Sequence, residues 1–210
     1  YEWYSLQRCA ASYYPLFENN KIVWPLTADK WGFTLDRNKH YLTSGGFFLV
    51  SKIIPLKYIL AVLNSKLMEY YFKFIGVMTA GGAYTLKKAT IEELPIVISK
   101  NMKIFEIIVD YILFLKSQST DTMSFYFEQL IDGMVYELYF ENEIKQADCD
   151  ILKYLNDLPE IKDEMENEEK MKIITKVFNK LYDKESPVRK NLEAMNRVEE
   201  VAIIKKSLEK

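Results

Sequence analysis

Leu56-Lys57-Tyr58-Ile59-Leu60-Ala61-Val62-Leu63-Asn64-Ser65-Lys66-Leu67-Met68-Glu69-Tyr70-Tyr71-Phe72-Lys73-Phe74 lies between Pro55 and Gly76. Its apolar residues Leu56, Ile59, Leu60, Leu63, Leu67, Tyr70, Tyr71 and Phe74 return at steps of three and four. That spacing predicts one helix with one buried face, ended by Gly76. Leu63, Leu67, Tyr71 and Phe74 are expected in the core.

The chain upstream of this helix reads as strands and turns. Lys21-Ile22-Val23-Trp24, closed by Pro25, has the look of a short strand. Trp31 to Leu35 and His40 to Thr43 are further strand candidates. Gly45-Gly46 signals a turn before the β-prone run Phe47-Phe48-Leu49-Val50. Downstream comes a glycine-bearing loop, Val77 to Tyr84. Thr90 and Glu93 have capping-box spacing, which predicts a short helical turn starting there. Pro95-Ile96-Val97-Ile98 reads as a last short strand.

Beyond residue 100 the sequence is nearly free of Gly and Pro. Lys103 to Lys116 is apolar on most sides and predicts a central helix. Ser119 to Thr122 is a polar link into a helix from Met123 to Phe140. A shorter helix is expected from Gln146 to Leu155, and Pro159 breaks the chain. Glu160 to Lys170 can form a solvated helix through its Glu166–Lys170 and Glu168–Lys172 pairs. Ser186-Pro187 marks the start of a final helix. The fold class expected is α+β. A mixed α/β domain over residues 1–100 is followed by an all-helical extension over residues 101–210.

The 210 residues are 49% hydrophobic and 14% aromatic, enough for a sizeable core. The opening on Tyr1 reads as a cut through a longer protein; a processed chain would look the same. Cys9 and Cys149 lie far apart, without metal-ligand spacing, which fits a reduced cytoplasmic protein. The longest apolar run, Ile107 to Leu115, is too short for a membrane span and contains Asp110. The net charge of −2 conceals an asymmetry: residues 1–100 carry an excess of five positive charges and residues 101–210 an excess of seven negative ones. Any nucleic-acid contact is expected in the first hundred residues, because neutralising phosphates needs Lys and Arg. Ordinary surface variation accounts for an excess of five equally well. The single histidine, His40, cannot make a metal site alone. No nucleophile elbow, phosphate loop or dinucleotide fingerprint is present, so a binding or interaction module fits better than an enzyme.

Phe17-Glu18-Asn19-Asn20-Lys21-Ile22-Val23-Trp24 and Leu60-Ala61-Val62-Leu63-Asn64-Ser65-Lys66-Leu67 carry a resemblance. With Trp3-Tyr4-Ser5-Leu6-Gln7-Arg8 before them and Glu92-Glu93-Leu94-Pro95-Ile96 after, their order resembles the TaqI-like C-terminal specificity domain of restriction–modification enzymes, notably the Eco57I type. The resemblance covers roughly residues 3 to 98. It implies a target-recognition module for double-stranded DNA within an adenine-specific DNA methyltransferase or type II restriction enzyme. It also implies a methylase domain of the same polypeptide, where S-adenosylmethionine would bind. Neither that domain's Asn-Pro-Pro-Tyr type motif nor its cofactor loop occurs here, so no cofactor is expected in this chain and no catalytic residue is assigned.

The DNA-contact candidates fall into two groups. Arg8, Lys21, Lys30, Arg37 and Lys39 belong to the first strands and loops; Arg can pair with guanine and Lys can neutralise phosphate. Plain solvated charge explains the same residues. Thr79, Tyr84, Lys87 and Lys88 surround Gly81-Gly82, where a bare backbone can approach a phosphate. Asn38 and His40 could contact bases, although turn chemistry explains Asn38 equally. Asn64 and Ser65 are expected to make structural hydrogen bonds. The acidic extension is expected to dock on the methylase domain, since acidic faces repel phosphate. The rival reading is a helical protein-docking module that does not bind DNA.

Overall fold

The computed structural model describes residues 14–209. The strand β1 (Lys21–Pro25) is the centre of a small antiparallel sheet, with β3 (Thr34–Asp36) on one side and β4 (Gly46–Leu49) on the other. Lys21 faces Asp36, Val23 faces Phe48, and Pro25 faces Gly46. Pro25 has no N–H to donate, and the strand ends there. After it, β2 (Thr27–Ala28) joins a second small sheet of order β2-β6-β5, built with β5 (Val77–Met78) and β6 (Tyr84–Thr85). This second sheet was not expected from the sequence; its strands are two residues each and carry no periodic signal.

Two strand expectations need correction. Of Trp31 to Leu35, only the end is strand. Trp31 and Phe33 instead supply rings to an aromatic cluster with Trp24, Phe72 and Tyr84. His40 to Thr43 forms no strand, because the buried Asp36 carboxylate takes the His40 N–H and Thr43 C=O closes a turn onto Gly46.

The periodic stretch that predicts one helix forms two, α1 (Leu56–Leu63) and α2 (Lys66–Ile75). Asn64 and Ser65 make the break. The Asn64 amide accepts from the Phe33 N–H at 2.8 Å and donates to the Phe33 C=O at 3.0 Å, as a strand neighbour would. Trp31 Nε1 donates to Leu63 O at 2.7 Å, taking one of the carbonyls that a helix end leaves free. Ser65 is extended and accepts the Met68 N–H, starting α2 as an N-cap. The Asp132 carboxylate, from a later helix, accepts the Lys66 N–H at 2.7 Å. The break turns the second half of the predicted face outward. Leu63 and Leu67 are buried as expected, but Phe74 is 69% exposed and Tyr71 38%. Gly76 does end α2: a Cβ there would sit 2.2 Å from the Phe72 ring.

The helical half begins with α3 (Lys88–Ile91), which starts before Thr90 and ends before Glu93. Pro95 to Ile98 is not a strand; its backbone is held by tyrosine hydroxyls. Tyr58 donates to Val97 O at 2.5 Å, while Tyr139 donates to Pro95 O and accepts the Val97 N–H. The central helices α4 (Met102–Ser117) and α5 (Asp121–Tyr139) form as expected, with α4 packed on both α1 and α5. The expected helix from Gln146 to Leu155 is replaced by α6 (Glu141–Gln146) and a 3-10 turn at Leu152–Tyr154. The Glu137 carboxylate, which burial pushes above its ordinary range, accepts the N–H groups of Ile151 and Leu152 there. Residues 160 to 166 are a loop, and α7 (Asn167–Tyr182) follows. Pro187 opens α8 (Pro187–Ala194), but α9 (Glu199–Leu208) comes after it and packs back on α2. One continuous core runs from Ile22 and Trp24 through Tyr58 and Phe105 to Ile204. The change of pattern near residue 100 therefore does not coincide with a gap in packing. Among the described residues, no helix is long and apolar enough to cross a membrane.

Replacing Asn64 with Ala leaves both main-chain groups of the buried Phe33 without their partner. The expected loss is about 1–3 kcal/mol. It should appear in urea unfolding as a lower midpoint with an unchanged slope.

Candidate functional site

Lys21 and Asp36, register partners across β1 and β3, form a buried ion pair with Nζ and Oδ2 at 2.6 Å. Lys21 also donates to Phe17 O at 2.9 Å. Asp36 accepts the backbone N–H groups of Asn38 and His40, each at 2.9 Å, and its Oδ1 lies 2.9 Å from His40 Nδ1. Burial opposes ionisation of Asp36. The bonds from Lys21, His40 and the two N–H groups outweigh it and hold the carboxyl well below the usual carboxylate range. Lys39 adopts a φ of 58°, which closes the turn. A buried pair thus clamps a loop, Arg37 to His40, whose side chains point outward. Two of its amides are already used by Asp36, so a ligand meets side chains there and not a free nest of N–H groups.

This geometry corrects the assignment of Lys21 as a DNA contact: the side chain is wholly buried and its ammonium is spent on Asp36 and Phe17. The remaining basic residues of this loop are exposed and loosely paired. Lys39 lies 3.6 Å from Glu18. Arg37 lies 3.3 Å from Asp110 of α4 and 3.6 Å from Asp163.

The second group surrounds the hairpin formed by β5 and β6. Thr79 closes its tip: the Thr79 N–H donates to Ala83 O, its carbonyl accepts the Gly82 N–H, and its hydroxyl accepts the Ala83 N–H. Gly82 has a φ of 82°, a value that glycine adopts without strain. Tyr84 also needs correction. It is 2% exposed, and its hydroxyl donates to Glu69 at 2.6 Å. Burial and the Glu69 carboxylate both push its ionisation up, so it ties the hairpin to α2 and presents nothing to a ligand. Lys30, Lys87 and Lys88 are exposed, and Lys88 lies 3.5 Å from Glu92. Arg8 lies outside the described residues.

The register separates the two groups. The Arg37 loop leaves β3 beside Lys21, at the start of β1. The hairpin pairs with β2, beyond the end of β1. Lys30 belongs on the hairpin side, since its neighbour Trp31 packs edge-on against Tyr84. Residues 21 to 28 are extended apart from one bend, and at about 3.3 Å per residue this run is at most roughly 20 Å long.

The sequence reading missed two features. One is an apolar surface of Phe74, Val77 and Met78 beside the hairpin; the Asn64-Ser65 pair inside an apolar helical run was the signal that could have exposed it. The other is a groove between the front sheet and α4, lined by Asn19, Asn20, Arg37, Lys52 and Lys57. Lys57 bonds Asp110 at 2.6 Å, so Asp110 bridges Lys57 and Arg37. Nothing in the local sequence pairs residues 37, 57 and 110. Among the described residues, no group of three or more His, Cys, Asp or Glu is placed to hold a metal.

Removing the buried cation through Lys21→Met leaves the Asp36 carboxylate without its main partner. Because the loop amides remain, the expected cost is near the lower end for such pairs, about 3 kcal/mol by urea unfolding. The Asp36 pKa is depressed, so its stabilisation is complete above the ordinary carboxylate range. In the wild type it is lost as pH falls from that range through the lower folded value; Asp36→Asn should remove this part of the acid sensitivity.

Residues 2–96 match the family model for the TaqI-like C-terminal specificity domain. Over this stretch the chain is similar to the specificity domains that restriction–modification enzymes carry. No curated protein matches the chain.

Proposed function

We propose, taking residues 2–96 as a restriction–modification specificity domain, that the chain recognises double-stranded DNA and holds it for a methylase domain of the same polypeptide. The observation that carries this reading is a pair of exposed cationic turns at opposite ends of one strand run. The run between them is up to roughly 20 Å long, against a single major groove about 12 Å wide. The two turns would therefore meet different parts of a duplex. In the Arg37–His40 loop, Asn38 and His40 have the chemistry to read base edges, and the Lys21–Asp36 clamp limits the ordering cost of binding. Lys30, Lys87 and Lys88 have the chemistry of phosphate contacts, which fix register without reading sequence.

A methylase acting on an adenine amino group must flip the base from the stack, and the duplex must stay in place meanwhile. We assign that holding role to this chain. S-adenosylmethionine and the methyl transfer belong to the methylase domain in this reading, as part of a type II system with or without a linked nuclease. The exposed Phe74, Val77 and Met78 beside the hairpin favour a second reading, a docking module that does not bind DNA.

Titration of the chain with a random-sequence duplex pool separates the two. Duplex recognition gives an affinity that falls linearly on a log–log plot against salt. Changing Lys30, Lys87 or Lys88 to Gln should each reduce that slope by about one unit if the residue contacts a phosphate. A complete lack of salt-dependent binding at low ionic strength would leave the docking reading alone.

A further inference from the structure

The groove beside Arg37 contains a contact that the duplex-recognition reading does not use. Asp163 projects into it with its side chain 91% exposed, and its carboxylate lies 3.6 Å from Arg37 Nη1. The loop bearing Asp163 is fastened at several points. The Tyr111 hydroxyl donates to Pro159 O, Lys103 pairs with Glu160 at 2.9 Å, and Lys170 donates to Asp163 O at 3.0 Å. Ile161 packs against the core between these bonds. The backbone of this strap is therefore fixed, while the Asp163 carboxylate stands in solvent facing the arginine. Asp110 is different: it is largely buried and grips Arg37 and Lys57 together from below.

We propose that the groove is a contact site for the DNA phosphate backbone, and that Asp163 occupies Arg37 in the free protein as a stand-in for a phosphate. This inference rests on the duplex-recognition reading. Asp110 sets the direction of the guanidinium and remains in place when DNA binds. Asp163 is the exchangeable partner, since an exposed carboxylate at this distance binds weakly and a phosphate can take an arginine fork in bidentate fashion. Asn19, Asn20, Lys52 and Lys57 then line the path of the backbone next to Arg37, and Glu106 of α4 is the other acidic side chain in the groove lining besides Asp163. The strap belongs to the acidic half of the chain, so that half tunes the affinity of the basic half.

The test compares the full chain with its Asp163→Asn, Arg37→Gln and doubly substituted variants, titrated with a random-sequence duplex pool over a range of salt. Glu164→Gln, an exposed neighbour with the same change in charge, is the control. Thermal unfolding checks that all are folded. Asp163→Asn should tighten binding several-fold at low salt and steepen the salt slope by about one unit, because Arg37 becomes free for a phosphate. The gain should vanish in the Arg37→Gln background, and Glu164→Gln should give less. An unchanged affinity for Asp163→Asn overturns the inference while duplex recognition stands. An equal gain with and without Arg37 also overturns it, since only general repulsion is then at work. If neither the wild type nor any variant binds duplex, the recognition reading fails and takes this inference with it.

Discussion

The side-chain amide of Asn64 pairs with both main-chain groups of Phe33, and much of the architecture follows from that contact. A helix end and a strand approach expose main-chain groups that must be satisfied when buried. Asn64 satisfies the strand side, while Trp31 satisfies the helix side through Leu63 O. The cost is an interrupted helix. The return is a fixed junction between the sheet and the helices, around which Trp24, Phe33, Phe72 and Tyr84 gather. The junction also sets the angle of α2, which brings Glu69 to Tyr84 and so fixes the hairpin.

The same logic operates at the other end of β1. Lys21 and Asp36 are charged, yet they serve the core and not the surface. A buried pair of this kind is weak evidence for stability by itself. Here its value is positional, because Asp36 spends its remaining capacity on the amides of the loop that follows. Charge thus acts at two levels in this protein. The buried pair shapes the Arg37 loop, and the exposed charges on that loop remain for exchangeable partners.

The helical half is less separate from the front half than its composition suggests. Tyr58 and Tyr139, from helices α1 and α5, converge on the Pro95–Val97 backbone. Asp110, the charge that interrupts the longest apolar run in the sequence, points to Arg37 and Lys57. A helix from the acidic half of the chain need not keep its distance from a basic surface; it can organise that surface at single positions.

The sequence by itself determined the longer elements, the strands at Lys21–Pro25 and Gly46–Leu49 and the helices after residue 100 at Met102–Ser117 and Asp121–Tyr139, because periods of two and of three to four are local and survive in the amino-acid string; the two-residue strands and the breaks carry no such period. It placed the central helices from Met102 and from Asp121 well, since each buries most of its circumference. It also pointed to a structural role for Asn64, and the order of its short motifs carried the resemblance that the family model matches over residues 2–96. Only the tertiary structure decided which side chains were free to act. Lys21 and Tyr84 look like any other polar residues in sequence, and their withdrawal into the core depends on Asp36 and Glu69, 15 residues away in each case. Phe74 looked like core for the converse reason: a helical period continues on paper through a break that Phe33 imposes from outside. The partners of Arg37 lie 73 and 126 positions along the chain. Such pairings are set by how the elements stack, and stacking leaves no periodic trace in a single sequence.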